Sequence, residues 1–423
     1  MSADLTPESQ AEDWYPSLSI AERDRRWARV RDSMAKQGLD CLLIAGLESR
    51  EQFQQYVTND HSGGYAIFPA EGEPVFLAWT ASRITSQLEA ASRGEIPWVT
   101  DSRVGANSAT VIKVLRERGF DRARIGVVGL GGLGSRQVEG WIPYRAWANV
   151  MASLPEANFV DVTGAFAELV LVKGEEELRI VRRAAAVGEM AADAMLQSTR
   201  PGVSEGEIAG VVMQILYREG AAGEYGYIIL HSGPHNPSWG PPLWLVRPQR
   251  PRKVEAGDVV QGEIFASYGS LLETQVQMSI AVAPLDPTNA ECARIARESY
   301  EIGLRVLRPG RTFAEVVEDM ARPLNVAGAW NLTPLIHSLG PMVAVAGRGV
   351  GLDKLPGTER YKGVQSLSIA KPTTDLVIQP NMVFELEPNA CLGKHRINIG
   401  GTVIVTEDGV EELNKVSAEM RVV

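Results

Sequence analysis

Histidine and cysteine are scarce in this 423-residue chain, which has five of the former and three of the latter. The cysteines, Cys41, Cys292 and Cys391, are odd in number and far apart. That excludes a disulfide framework and a CxxC zinc knuckle and points to a reducing compartment. Cations are also in deficit: 42 Lys+Arg face 52 Asp+Glu, for a formal charge of -10. A nucleic-acid partner, which needs a Lys/Arg surplus on one face, is therefore not expected. No apolar run approaches the roughly 20 residues of a membrane span. The opening MSADLTPESQAEDWYP is acidic and polar, where a secretory leader needs a basic start and an apolar run. These absences predict a cytoplasmic protein with no membrane partner. What is present, 45% hydrophobic and 22% charged residues without low-complexity tracts, suits a globular chain long enough for two domains.

The first part alternates helical and strand patterns. Ser19 and Glu22 have capping-box spacing ahead of Trp27, Val30 and Met34 at helical intervals. The strand CLLIAG follows, then the hairpin YAIFPAEGEPVFLAW, the helix SATVIKVLRERG, the strand RIGVVGLG, the helix SRQVEGWIPYRAWANVMASL and the strand NFVDVTG. This is an α/β domain over 1–165, with the boundary between about 160 and 174. Within it, Gly129, Gly131 and Gly134 form a GxGxxG after a strand. It comes late in its domain and leaves no room for a second mononucleotide half, so a structural turn is the better reading than a dinucleotide site.

The second domain, 166–423, contains an internal repeat. RPGVSEGEIAGVV returns as RPGRTFAEVVEDM, each with a capping box, Ser204/Glu207 and Thr312/Glu315. ILHSGP returns as LIHSLGP, and AGDVVQGEIF returns as QPNMVFELEP. Two copies of helix, helix, strand, strand predict a pseudo-twofold fold around a shared sheet. A site on that axis takes matched residues from both halves, pairing His231 with His337 and Glu263 with Glu387.

Carboxylates carry the strongest chemical signal. Glu385 and Glu387 are two apart in MVFELEP, so strand periodicity sends both to one face of an apolar, buried strand, where an unpaired carboxylate is costly. Glu263 lies in a similar strand, and Glu273 opens the return strand. Such a cluster suits a metal site, a cation pocket or an acid/base pair. HSGPHNPSWGPPLW places His231, His235, Trp239 and Trp244 in a Pro/Gly loop after a strand, where a histidine can move protons near neutral pH.

With EEELRIVRRAA, RPGVSEGEIA, GDVVQGEIFASYGS, GRGVGLD, NMVFELEP and GGTVIVTEDG in this order, the chain resembles the creatinase / aminopeptidase P / methionine aminopeptidase (M24) family. The resemblance implies a creatinase-type N-terminal α/β domain followed by a pita-bread catalytic domain, and a homodimer. The family's metalloenzymes hold two divalent ions with two aspartates, one histidine and two glutamates. By this resemblance the first aspartate falls on Glu263 and the second on Glu273 or, without a gap, Thr274. The histidine falls on Arg348, or on Pro341 if HSLG is the anchor; one glutamate is retained as Glu387, and the last falls on Gly400.

A positive charge where an ion should sit argues against metal. The expectation is therefore a creatinase-like hydrolase without metal or other cofactor, cleaving a C–N bond of a small polar substrate. His235, or else His231, is the expected acid/base, with Glu263, Glu273 and Glu387 completing the catalytic set. Arg348, Glu385, Trp239 and His337 are expected to bind substrate. A lyase acting by proton abstraction, a metal-dependent Xaa-Pro dipeptidase and a non-catalytic binding module are the alternatives.

Overall fold

The computed structural model describes residues 17–46, 52–132, 140–221, 228–235, 238–269, 271–342, 344–347, 351–362 and 376–423. Its contacts divide into two compact units, Ser17–Glu176 and Glu177–Val423.

The first unit carries six strands: β1 (Cys41–Ala45), β2 (Gly64–Pro69), β3 (Val75–Ala78), β4 (Asp101–Val104), β5 (Arg124–Val128) and β6 (Asn158–Asp161). They form one sheet in the order β4-β3-β2-β1-β5-β6. The hairpin β2–β3 is antiparallel, as the turn residues predict, and β1, β5 and β6 run parallel. Cys41, Leu43, Ile67, Leu77, Ile125 and Val127 on these strands bury one core against the helix Ser108–Glu117.

Two local readings need correction. Ser19 caps the helix Ile20–Gln37 by accepting from Glu22 N–H, but Glu22 does not return the bond. Its carboxylate instead binds Arg25 and Arg26, two cations that outcompete a backbone amide. The helix anticipated from Ser135 begins only at Tyr144 among the described residues, because Pro143 fixes its own φ and disfavours helix at Ile142.

The second unit starts with the long helix Glu175–Ser198 and the helix Glu205–Arg218. Strands follow as β7 (Ile229–Gly233), β8 (Val259–Ser267), β9 (Glu273–Ala281), β10 (Ile336–Ser338), β11 (Ala346–Gly347), β12 (Val383–Leu386), β13 (Asn389–Leu392), β14 (His395–Asn398) and β15 (Gly400–Val405). Both repeat helices, Glu205–Arg218 and Phe313–Ala327, begin with complete capping boxes, Ser204/Glu207 and Thr312/Glu315.

The main sheet reads β11-β10-β12-β15-β9-β8-β7, so the first copy (β7, β8, β9) and the second (β10, β12, β15) mirror one another about the β9/β15 seam. At that seam Gly400 pairs with Gln277. Register follows the repeat: His231 pairs with Gln261 on one side, and His337 with Glu385 on the other. Moving two residues along each strand matches Glu263 with Glu387, as the repeat predicts.

Strand periodicity then separates two faces. Val260, Ile264, Ala266, Val276, Met278 and Ile280 pack against Val187, Ala191, Met195, Ile208 and Val212 of the two helices. The alternate residues, Gln261, Glu263, Glu273, Gln275, Gln277 and Ser279, share the opposite face, and all are buried.

Candidate active site

The polar face gathers Glu263, Glu273, Glu385, Glu387 and His337, each at most 4% exposed. Three of the carboxyls receive an N–H bond. Trp239 Nε1 donates to Glu263 Oε2 at 2.8 Å, Gln275 Nε2 to Glu273 Oε1 at 2.6 Å, and Gln277 Nε2 to Glu387 Oε2 at 3.2 Å. Asn398 Nδ2 donates to Gln277 Oε1 at 2.8 Å, which turns the glutamine N–H groups toward the carboxyls. Glu385 differs: it is fully buried, and neither oxygen has a hydrogen-bond partner among the described residues.

His337 lies between Glu385 of β12 and Glu387, just past the end of that strand. Its Nδ1 faces Ser338 O at 2.9 Å, and since a carbonyl only accepts, Nδ1 holds the proton. Nε2 is thereby left facing Glu385 Oε2 at 3.3 Å and Glu387 Oε1 at 3.5 Å. Burial pushes both carboxyls well above the ordinary range; the neighbouring carboxylates raise them further, while His337 draws Glu387 back. Glu263 is raised as well, by burial, against the pull of the Gln277 and Trp239 bonds. One imidazole nitrogen between two buried carboxyls is placed to accept and return protons.

The histidines anticipated as acid/base differ in their surroundings. His235 is exposed, its ring 4.7 Å edge-on from that of His395, and no hydrogen bond or ion pair joins it to the four glutamates among the described residues. His231 is buried, with Nε2 donating to Gly240 O at 2.9 Å, and burial lowers its pKa. It braces the loop that carries Trp239 and lines a small cavity together with Glu263. Register is the reason: His337 is the direct cross-strand partner of Glu385, whereas its counterpart His231 meets the neutral Gln261. Thr274 turns to the other face and donates to Ala266 O, so Glu273 is the carboxylate that β9 contributes. Arg348 lies outside the described residues.

Sequence reasoning missed Gln275, Gln277, Asn398 and Arg396. The two glutamines were signalled by alternation in Glu273-Thr274-Gln275-Val276-Gln277-Met278-Ser279, a period of two that puts Glu273, Gln275, Gln277 and Ser279 on one face. Nothing in local sequence marks Arg396 as buried.

A family model described as Metallopeptidase family M24 matches residues 179–407. The chain belongs to this family. The Creatinase/Prolidase N-terminal domain model matches residues 26–172 of the same M24 chain. Creatinase of Bacillus sp. (strain B-0618) is 22% identical to it over 427 residues, 95% of this chain and 92% of the creatinase. The probable dipeptidase PepE of Mycobacterium tuberculosis (strain ATCC 25618 / H37Rv) is 26% identical over 279 residues, 65% of this chain and 66% of its own length. The solved Xaa-Pro dipeptidase from Bacillus anthracis shares the fold, with a TM-score of 0.69 at 20% identity over 95% of this M24 chain and all of that one.

The family implies two divalent ions, and the residues present do not fit them. At Gly400, where the resemblance places a glutamate, φ is +131° and a Cβ would lie 1.8 Å from Leu386 O. Among the described residues, no group of three or more His, Cys, Asp or Glu is disposed to hold an ion.

Proposed function

We propose that this M24 protein is a metal-independent hydrolase that cleaves a C–N bond in a small polar substrate, with His337, Glu385 and Glu387 moving the protons. The observation that carries the reading is His337 Nε2 flanked by the buried carboxyls of Glu385 and Glu387, at 3.3 and 3.5 Å. Hydrolysis of a C–N bond needs a proton removed from water and a proton delivered to the leaving nitrogen. Nε2 takes the first as the water oxygen bonds to carbon. A carboxyl that is still protonated supplies the second as the C–N bond breaks. Transfer from Nε2 to the resulting carboxylate restores the starting state. Glu263 and Glu273 offer acceptors to substrate N–H groups, and Trp239 keeps Glu263 aimed.

The cost of burying four carboxyls speaks for an active site over a binding module, since unpaired buried charge destabilises a fold unless function retains it. The reading also includes a cytoplasmic location and a homodimer, the latter checked by light scattering on purified protein.

Two measurements test it. Turnover in 18O-labelled water should place label in the product; unlabelled product from a cleaved substrate favours elimination instead. Metal analysis of protein purified without chelator should find far less than one ion per chain. Near-stoichiometric metal with activity lost on chelation supports a metal-dependent dipeptidase and sinks the proposal.

A further inference from the structure

Arg396, on β14, is 2% exposed and ranks among the largest fully buried side chains. Its Nη1 donates to Ser238 O and to Gln261 Oε1, each at 3.1 Å, and its Nη2 to Thr333 Oγ1 at 3.4 Å. All three acceptors are neutral, and Nε has no partner among the described residues. A guanidinium cannot shed its proton, and an interior cation without a contact ion pair is expensive. Yet Arg396 borders the carboxyl cluster: with Glu263, Trp239, Gln277 and Asn398 it lines a cavity of about 10 Å³.

We propose that Arg396 takes the electrostatic place of the divalent ions in this pocket, balancing the ionised carboxyls with a fixed charge and repelling a dication from them. The inference rests on the metal-independent reading above. Geometry supports it twice. The bonds to Gln261 and to Ser238 O anchor the guanidinium between β8, which bears Glu263, and the loop that bears Trp239. Gln261 is the register counterpart of Glu385, so the repeat places a neutral amide, able to accept from a guanidinium, where the other half has a carboxyl. The mutual electrostatic pull between Arg396 and both Glu263 and Glu387 is in the same sense.

The experiment titrates the full chain with Mn2+, following free Mn2+ by its EPR signal. Wild type is expected to bind too weakly to register at millimolar ion. Arg396→Gln should gain at least about tenfold in Mn2+ affinity, as removal of a nearby fixed charge in a low-dielectric site requires, whereas Arg396→Lys should stay at the wild-type level. Tight stoichiometric Mn2+ in wild type overturns the metal-independent reading and this inference with it. Weak binding in wild type and no gain in Arg396→Gln overturns the inference alone. A gain in Arg348→Gln but not in Arg396→Gln overturns it in favour of Arg348. Should Arg396→Gln not fold, Gln261→Leu, which removes the acceptor that aims the guanidinium, should gain by a smaller factor, and an unchanged affinity there overturns the proposal.

Discussion

Two places in this molecule hold buried polar groups at the end of a strand, and they are organised in opposite ways. In the N-terminal unit, Thr163 Oγ1 accepts from Gly129 N and Gly131 N at 2.9 and 3.3 Å and donates to Asp161 Oδ1 at 2.6 Å. A Cβ on Gly131 would lie 2.2 Å from Asp161 Oδ2. The Gly129 and Gly131 amides are thus already engaged, and the space beside Gly131 is filled by Asp161. In the catalytic unit, neither Glu385 oxygen has a hydrogen-bond partner among the described residues, and His337 Nε2 faces Glu385 Oε2 at 3.3 Å. A glycine turn whose Gly129 and Gly131 amides are bonded internally reads as structural, Gly134 lying outside the described residues; a buried carboxyl left open is maintained for a ligand or a proton.

The contrast can be broken or sharpened by substitution. The largest effect is expected for Glu387→Gln, which keeps shape and removes a proton carrier. Turnover of the substrate identified in labelled water should fall about 10³-fold, with denaturant stability unchanged or higher, because a buried carboxyl is replaced by a neutral amide. Retained turnover would dissolve the distinction between the two sites. Thr163→Val should do the reverse, lowering stability in denaturant melts by about 2 kcal/mol through orphaned amides while leaving turnover unchanged.

A third expectation concerns pH. Glu385 holds its proton in the folded chain at pH values where the unfolded chain, with the ordinary carboxyl value of 4.5, has lost it. Its protonated burial is cost-free below that value, and stability falls as pH rises from there toward the raised folded value. The slope is at most about 1.4 kcal/mol per pH unit for the group. Glu385→Gln should remove that share of the slope in melts run across pH, and an identical slope in the variant would mean that Glu385 ionises normally. The smallest effect is expected for Trp239→Phe, which loses one N–H bond to Glu263. About 1 kcal/mol, read as a several-fold drop in turnover with the acidic limb of the pH profile moved upward as Glu263 loses the bond that favours its carboxylate, is the expected outcome.

Much of the architecture was legible because it rests on short-range rules. Capping boxes at Ser204 and Thr312, alternation in β8 and β9 and the repeated RPG and HS segments state where helices start and which strands match. The pairing of His231 with His337 and of Glu263 with Glu387 followed from the repeat and agrees with strand register. The choice of histidine did not follow. His231 and His235 drew attention by lying close together in sequence, yet proximity along a loop does not decide which ring faces a carboxyl. Cross-strand pairing does, and it sets His337 opposite Glu385.

The scarcity of histidine, the acidic balance, the doubled segments and the apolar strands interrupted by glutamates were set by composition and order alone. They determined a two-domain α/β chain with a pseudo-twofold second half and a carboxylate-rich face, since patterning dictates which side of a strand meets the core. The tertiary structure decided the state of that face: which carboxyls are bonded, which stay open, which histidine lies between them and where the neighbouring positive charge resides. Arg396 is the clearest instance. In sequence it is one arginine among many, and it becomes part of the site because β14 carries it beside β8, from which it is separated by 135 positions at Gln261. Desolvation and Coulomb interactions depend on such distances in space, which no local pattern encodes.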